Sequence, residues 1–198
     1  MNVELLQTKG KQIIGNHFKI LPEDVEVVQK LNTWFLNDEQ QAMHLGINLK
    51  KGILLTGPVG CGKTTLMRLM REIVPPQQKF GIKSCRDITF EFHKEGYDTI
   101  LRYSHQAFER NTNRPFTTCF DDLGAESTLK YYGNECNVMG EILLSRYDHY
   151  ISHHMLTHAT TNLSAHELEN YYGIRVRSRM REMFNLISFN SNSIDKRR

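Results

Sequence analysis

The sequence lacks long apolar runs and has little cysteine. No stretch approaches the about 18 consecutive apolar residues that a membrane-spanning helix requires. The first residues, MNVELLQTKGKQ, lack the apolar core of a secretory signal. The cysteines show no C-x-x-C spacing, which disfavours a structural zinc site and a disulfide framework. The four cysteines are Cys61, Cys85, Cys119 and Cys136. We therefore expect a cytoplasmic protein with free thiols and no membrane contact.

The remaining composition is that of an ordinary folded protein. The chain has 198 residues, of which 39% are hydrophobic and 24% charged, enough for one domain with a core of its own. It contains no internal repeat, no low-complexity tract and no Gly/Ser linker. The formal charge of +3 is compatible with a polyanionic partner but does not require one.

The pattern of the chain changes near residue 50. Before it, apolar residues recur at three-residue steps after Pro22, with two further apolar residues beside them, which predicts an amphipathic helix with one apolar stripe. The steps are Val25, Val28, Leu31 and Trp34, and the residues beside them are Val27 and Phe35. After it, short apolar runs alternate with longer helical patterns, which predicts an α/β fold with a five-stranded parallel sheet between helices. The predicted strands lie at 53–55, 80–82, 116–120, 155–160 and 186–189. The predicted helices lie at 64–74, 95–109, 137–151 and 165–184.

A glycine-rich segment follows the first predicted strand and opens a helix. It fits the pattern G-x-x-x-x-G-K-[ST], whose glycines let consecutive backbone N–H groups converge on phosphate oxygens. Lys63 would bridge the β- and γ-phosphates of ATP, and Thr64 would give its hydroxyl to Mg²⁺. The predicted phosphate-binding residues are Gly57, Pro58, Val59, Gly60, Cys61, Gly62, Lys63, Thr64 and Thr65.

Two carboxylates follow the buried strand predicted at 116–120. Asp121 and Asp122 stand at its carboxyl end, where open α/β sheets bind ligands. We predict Asp121 as the carboxylate that holds the metal and Asp122 as the general base that polarises the attacking water. Many ATPases place a glutamate at the second position, and aspartate reaches less far, so Glu126 remains a competing candidate for the base.

The strand predicted at 155–160 also ends in polar residues. Asn162 at this edge is a candidate sensor whose amide hydrogen-bonds both the γ-phosphate and the water. The alternative is an ordinary Asx turn before a helix that Ser164 and Glu167 cap in the pattern S-x-x-E.

Four arginines alternate along the segment that follows Gly173. On a helix, Arg175 and Arg179 flank one side of an apolar stripe, whereas Arg177 and Arg181 flank the other. One pair would project toward a nucleotide held by a neighbouring subunit, where a guanidinium neutralises transition-state charge. The alternative is a solvated helix whose arginine stems cover the edge of the core.

Histidines crowd the stretch from 149 to 158. His149 and His153 are spaced to share one helical face, but neither a carboxylate nor a cysteine completes a metal site at a convincing spacing. We interpret these histidines, together with His154 and His158, as structural or surface residues.

Taken in order, several segments resemble the AAA+ ATPases of the DnaC-type helicase-loader and IstB-type transposition-helper group. These segments are GPVGCGKT, FDDLGAE, NVMGEILLSRYD, TTNLS and YGIRVRSRMREM, and the resemblance covers roughly residues 50–190. Through it, Lys63, Thr64, Asp121, Asp122 and Asn162 match the two Walker motifs and sensor 1. Arg179 matches the arginine-finger segment, with Arg175 as the nearby alternative.

The resemblance implies a domain division and a function. A helical segment at 1–49 would pack on an AAA+ P-loop NTPase core at 50–190, which has no C-terminal lid domain. A polar basic tail would follow at 191–198, where the last three residues would contact a phosphate backbone or fray. The implied activity is Mg²⁺-dependent ATP hydrolysis with ATP-bridged self-association, contact with single-stranded DNA, and a replicative helicase or a transposase as protein partner.

Two other functions fit the residues themselves. A small-molecule kinase would have a similar sheet and phosphate-binding loop, although no separate arginine-rich lid segment is evident. A nucleotide-gated interaction module with little turnover would bind ATP and self-associate without releasing phosphate.

Overall fold

Five parallel strands form the centre of the computed structural model, which describes residues 3–126, 129–131 and 134–197. The strands are β1 (Gly52–Thr56), β2 (Gly81–Ser84), β3 (Thr118–Leu123), β4 (Leu129–Tyr131), β5 (Asn134–Cys136), β6 (Thr157–Thr161) and β7 (Phe184–Ser188). The main sheet has the order β2-β3-β6-β1-β7, and all its neighbouring strands are parallel. This confirms the predicted five-stranded parallel sheet. The antiparallel pair β4 and β5 is an addition that the apolar runs do not predict.

Helices connect the strands and cover the sheet. They are α1 (Val3–Ile14), α2 (Val25–Phe35), α3 (Glu39–Leu45), α4 (Lys63–Ile73), α5 (Cys85–Glu95), α6 (Tyr97–Tyr103), α7 (Val138–His153) and α8 (Ala165–Met183). Short 3₁₀ turns at Pro22–Asp24 and Pro76–Gln78 precede α2 and β2. Within the described ranges, no helix has the length and apolarity needed to cross a membrane.

The helix that follows β2 begins earlier than predicted. The prediction of one helix at 95–109 is wrong, because α5 starts at Cys85 and α6 ends at Tyr103. The Ser84 hydroxyl accepts a hydrogen bond from the N–H of Asp87 and caps α5 directly at the end of the strand. Gly96, with φ of 60° and ψ of −138°, then separates α5 from α6.

The helix predicted at 165–184 is capped and kinked as expected. Ser164 and Glu167 form a capping box at the start of α8, with each side chain accepting from the other residue's backbone N–H. Gly173 has non-helical angles (φ 83°, ψ 159°) and divides α8 into two halves. The second half carries the four arginines.

The core has two layers, one on each face of the sheet. Ile53 and Leu55 of β1 belong to one apolar cluster, whereas Leu54 between them belongs to the other, because successive strand residues face opposite sides. Helices α1 to α4 supply the first cluster, and helices α5 to α8 supply the second.

The predicted apolar stripe of α2 faces the core, except at its first residue. Val27, Val28, Leu31 and Phe35 are buried, whereas Val25 remains 38% exposed. The helix lies against α1 and α4, which cover this stripe.

A fully buried arginine holds several segments at the amino ends of the strands. Arg146 of α7 donates from Nε to Thr157 Oγ1 at 2.8 Å and from its Nη atoms to the backbone oxygens of Tyr103, Phe116 and Leu156 at 2.8 to 2.9 Å. Burial lowers its pKa from 12.5 to about 9. The guanidinium therefore joins α6, α7 and the approaches to β3 and β6.

A buried histidine lies within an aromatic cluster beneath the sheet. The His158 ring on β6 packs edge-on against Trp34 and Phe80 at centroid distances of 4.8 and 4.9 Å. Its Nδ1 accepts the N–H of Ile53 at 3.1 Å, and its Nε2 has no hydrogen-bond partner among the described residues. Burial lowers the pKa of His158 from 6.5 to about 3, so the ring is neutral at physiological pH. The structure thus supports the interpretation of His158 as a structural residue.

We predict that His158 makes the fold sensitive to mild acid. Between pH 6.5 and about 3, the unfolded chain takes up a proton that the folded chain does not, so the free energy of unfolding falls as the pH falls. The contribution approaches about 1.4 kcal/mol per pH unit. His158→Gln should flatten this dependence in urea titrations at pH 7, 6 and 5, whereas His166→Gln, at an exposed position, should not. Parallel losses of stability in the wild type and His158→Gln would contradict the prediction.

Candidate functional site

The predicted phosphate-binding loop lies between β1 and α4. Gly57, Gly60 and Gly62 have φ angles of 154°, 82° and 104°, which L side chains rarely adopt. Helix α4 begins at Lys63, so its positive amino end faces the loop. The Lys63 ammonium is buried and donates to the backbone oxygens of Gly57 and Pro58 at 2.7 and 2.8 Å. The loop therefore already holds a cation where phosphate oxygens would bind.

The Asp121 carboxylate lies across from the start of α4. It accepts hydrogen bonds from the Thr64 hydroxyl, at 2.9 Å to Oδ1 and 3.0 Å to Oδ2. It also accepts from the Thr160 hydroxyl at 2.6 Å. The structure brings Thr64 and Asp121, both predicted as metal ligands, into direct contact and adds Thr160 as a third polar group.

Asp122 occupies an unusual backbone position at the end of β3. Its φ is 59°, and the register between β3 and β6 shifts between Phe120 and Leu123. Its N–H donates to the Thr160 hydroxyl at 2.9 Å. The pKa of Asp122 is raised, first by desolvation between the cleft walls and second by the charge of Asp121.

A cavity of about 800 Å³ opens beside the loop. Its volume falls in the range of small-molecule and cofactor sites. Its polar lining includes Lys63, Thr64, Asp122 and Asn162. Its apolar lining comes from residues before α2 or in its first turns and from one residue after β7: Ile14, Phe18, Ile20, Leu21, Val28 and Ile194. Polar groups that suit phosphates and apolar side chains that suit a nucleoside thus line the same cavity.

Asn162 lies just after the carboxyl end of β6, where the sequence predicts a sensor or an Asx turn. It is exposed and lines the cavity together with Asp122. It also lies two residues before the capping serine of α8.

Glu126 lies in a different environment from Asp122. Its carboxylate accepts hydrogen bonds from the Tyr172 hydroxyl and, at 2.9 Å, from the N–H of Gly124. Its backbone oxygen accepts from the Tyr171 hydroxyl. The side chain is buried, which raises its pKa, and it is not among the residues that line the cavity.

The two candidate finger arginines lie away from the cavity of their own chain. Both are on the second half of α8, and the described residues that line the cavity do not include them. Arg175 is exposed beside Ile174, which is itself 74% exposed. The guanidinium of Arg179 lies 4.9 Å from the centre of the Tyr147 ring.

The residues after β7 pack against the rest of the protein and do not extend into solvent. Residues 190–197, called the tail below, return to the phosphate-binding loop, where Lys196 and Arg197 line the cavity. The N–H of Lys196 donates to the oxygen of Gly60 at 3.0 Å. Arg198, the last residue of the predicted basic tail, lies outside the described residues.

Sequence reasoning did not find the role of Thr160, the return of the tail to the loop or the apolar wall of the cavity. Thr160 is the last residue of the strand predicted at 155–160 and lies two residues before Asn162, and this position was the available signal. Lys196 and the wall residue Phe18 are brought to the loop by tertiary packing, for which local patterns contain no signal. Within the described residues, no group of three or more His, Cys, Asp or Glu side chains forms a metal site.

Comparisons with known proteins show what parts of the chain are similar to. No protein-family model matches the chain. The chain is 29% identical over 126 residues to the ATPase family gene 2 protein homolog B of Bos taurus, covering 61% of this chain and 15% of that protein. It is 30% identical over 110 residues to the spermidine/putrescine import ATP-binding protein PotA of Mycoplasma genitalium, covering 54% and 16% respectively. The match thus spans about one sixth of the length of these curated relatives.

Two solved structures are similar over nearly the whole chain. The crystal structure of the DnaC helicase loader has a TM-score of 0.58 and 16% identity, covering 87% of this chain and 93% of that one. The crystal structure of DnaI has a TM-score of 0.59 and 19% identity, covering 98% and 93%. The two curated relatives are, by name, an ATPase family protein and an ATP-binding protein, and the two solved structures share the fold of this chain. The predicted resemblance is confirmed in the fold: this chain has the P-loop NTPase fold of the DnaC helicase loader and DnaI.

Proposed function

We propose that this chain is a Mg²⁺-dependent AAA+ ATPase that acts on nucleic acid, as a helicase loader in DNA replication or as a transposition helper. The observation that supports it best is the hydrogen bonding of Asp121 with Thr64, which lines one nucleotide-sized cavity together with Lys63. A hydroxyl and one carboxylate are the protein ligands that Mg²⁺ commonly takes when substrate phosphates and water complete its shell.

In this proposal, each polar residue of the cleft has one role. The backbone N–H groups of the loop at 57–65, except that proline at position 58 has none, and the Lys63 ammonium bind the phosphates. Thr64 and Asp121 hold Mg²⁺. The metal ion, when bound, neutralises charge that develops on the phosphate oxygens. Asn162 orients the attacking water and the γ-phosphate from the neighbouring strand.

We propose Asp122 rather than Glu126 as the general base. Asp122 lines the cavity next to Lys63 and Thr64, and its carboxylate faces open space where water has access. The Glu126 carboxylate is buried and already accepts hydrogen bonds from Tyr172 and Gly124.

We propose that ATP bridges neighbouring copies of the chain. Because Arg175 and Arg179 do not line their own cavity, either one would serve a nucleotide held by another subunit. The exposed Ile174 beside Arg175 is an apolar contact that such an interface would cover.

Partners and location complete the proposal. By its likeness to the DnaC helicase loader, the chain would contact single-stranded DNA and either a replicative helicase or a transposase. It would act in the cytoplasm, where ATP and DNA are available. Residues 1–49 would be a helical segment on the AAA+ core of residues 50–190, and a polar basic segment would follow at 191–198.

Two substitutions should separate ATP binding from hydrolysis. Lys63→Ala removes the cation of the loop and should abolish ATP binding. Asp122→Asn should bind ATP but hydrolyse it about 10²- to 10⁴-fold more slowly, because the general base is lost. Phosphate release should be measured with and without single-stranded DNA, together with the particle mass in ATP and in ADP.

Several outcomes would revise this proposal. Retained turnover in Asp122→Asn would move the base to another residue, and loss of turnover in Glu126→Gln would identify it. Phosphorylation of a nucleoside or sugar would favour the kinase alternative. Tight ATP binding with self-association but no turnover, even with DNA, would favour the interaction module. Stimulation by DNA should fade with salt, since phosphate contacts release counterions.

A third substitution tests how Asp121 is held. Thr160→Val keeps the shape of the side chain but removes the hydroxyl that contacts both Asp121 and the N–H of Asp122. We expect kcat to fall about 10- to 100-fold, and the Mg²⁺ requirement to rise, because the carboxylate is no longer fixed. The matched control is Thr89→Val, which removes a buried hydroxyl bound to the Cys85 oxygen in α5. Equal kinetics of the two variants would contradict the prediction.

Mixing two inactive variants tests the arginine finger. Lys63→Ala cannot bind ATP, and Arg179→Ala cannot supply the finger. In mixed assemblies, some sites combine an intact cleft with an intact arginine, so ATPase activity should reappear and reach a maximum at an intermediate ratio. Repeating the mixture with Arg175→Ala identifies which arginine acts, and Arg110→Ala, at an exposed position, is the control. No recovery at any ratio would exclude action across the interface.

A further inference from the structure

We propose that the tail is a built part of the nucleotide site, in which Arg197 contacts a phosphate group of the bound nucleotide and Ile194 extends the apolar wall beside its nucleoside. The inference rests on the proposed ATP binding and adds to it a contribution from residues outside the matched motifs. Four observations on the tail carry it.

An ion pair anchors the tail to the amino-terminal side of the cavity. Lys196 Nζ donates to both carboxylate oxygens of Asp24 at 2.7 Å, and Asp24 is 2% exposed. Asp24 in turn accepts the N–H of Leu21 at 2.9 Å. The Lys196 ammonium also lies 5.1 Å from the centre of the Phe189 ring. A buried carboxylate requires such a partner, so this pair fixes the tail in one place.

The same lysine binds the outer side of the phosphate-binding loop. Its Nζ donates to the oxygen of Cys61 at 2.8 Å, and its N–H donates to the oxygen of Gly60 at 3.0 Å. These contacts use carbonyl groups and leave the N–H groups of the loop available for phosphate oxygens.

The approach of the tail to the loop is close enough to require glycine. A Cβ atom added at Gly60 would lie 2.0 Å from Oδ1 of Asp195. Oδ1 of Asp195 also accepts the N–H of Arg197 at 3.0 Å, which fixes the backbone that carries the arginine.

The charge of the cavity suits a polyphosphate. Its described lining includes four cations and two carboxylates, and one of those carboxylates, Asp24, is already paired with Lys196. Lys19, Lys63 and Arg197 therefore face a single remaining carboxylate, Asp122. Arg197 can make two parallel hydrogen bonds to a phosphate group, which a lysine cannot.

Nucleotide binding by charge variants of the full-length chain tests the inference. With a fluorescent ATP analogue and Mg²⁺, Arg197→Gln should raise the dissociation constant about 10-fold or more, since hydrogen bonds between charged groups are the strong ones. Arg197→Lys should restore part of the affinity. Arg110→Gln, a matched exposed arginine outside the cavity, should bind like the wild type.

A thiol-labelling experiment tests the position of Ile194 independently. The four natural cysteines are buried, so a cysteine introduced in Ile194→Cys would be the reactive thiol. MgATP should slow its modification several-fold and should leave Ile151→Cys, at an exposed position on α7, unaffected. Equal or faster modification at position 194 in MgATP would overturn the inference.

The remaining outcomes distinguish this inference from the proposed function. Absence of ATP binding by the wild type would overturn both. If Lys63→Ala abolishes ATP binding but Arg197→Gln binds ATP as tightly as Arg110→Gln does, only the role of the tail is overturned. Tighter binding after Arg197→Gln, or after removal of residues 194–198, would show that the tail obstructs the cleft. An effect of Arg197→Gln on single-stranded DNA binding without one on nucleotide would assign the cation to DNA instead.

Discussion

The Asp121 carboxylate joins three elements that are far apart in the sequence. Its backbone belongs to β3, and its oxygens accept hydrogen bonds from Thr64 at the start of α4 and from Thr160 on β6. A carboxylate at this depth is costly without such partners, so its position and the packing of the strands depend on each other. Because the Thr160 hydroxyl also accepts the N–H of Asp122, one side chain fixes both acidic residues. The rest of the cleft is arranged around this contact.

The strand order explains why these groups meet. β3 and β1 are not neighbours, since β6 lies between them, so the carboxyl ends of three adjacent strands carry the acidic pair, the threonine and the loop. At such a point the connections leave the sheet in different directions and open a crevice. Arg146 fixes the opposite ends of the same strands through the oxygens of Phe116 and Leu156. The sheet is thereby held at both of its ends.

The sequence predicts features that depend on residues close together in the chain, and it misses contacts between residues that are far apart in the chain. The loop at 57–64 and the capping box of Ser164 and Glu167 depend on neighbours within a few residues, and the structure shows both in place. The buried strand predicted at 116–120 is also present, but it runs from Thr118 to Leu123 and therefore includes Asp121 and Asp122. The start of α5 was missed because the Ser84 cap follows the strand without a turn. Contacts between residues far apart in the sequence leave no local pattern. Examples are the contacts of Lys196 with Asp24 and of Arg146 with Phe116.

The amino-terminal helices pack on α4, directly after the phosphate-binding loop, and the tail packs on the loop itself. Leu6 of α1 and Leu31 of α2 share a cluster with Met67 of α4, while Lys196 binds the loop oxygens from outside. A ligand that binds the ordered loop stabilises every segment whose order the loop requires. Occupancy of the cleft therefore changes the stability of both the amino-terminal helices and the tail. In this architecture, the sheet is the rigid part. A nucleotide would act on the rest of the protein through the segments packed on the phosphate-binding loop.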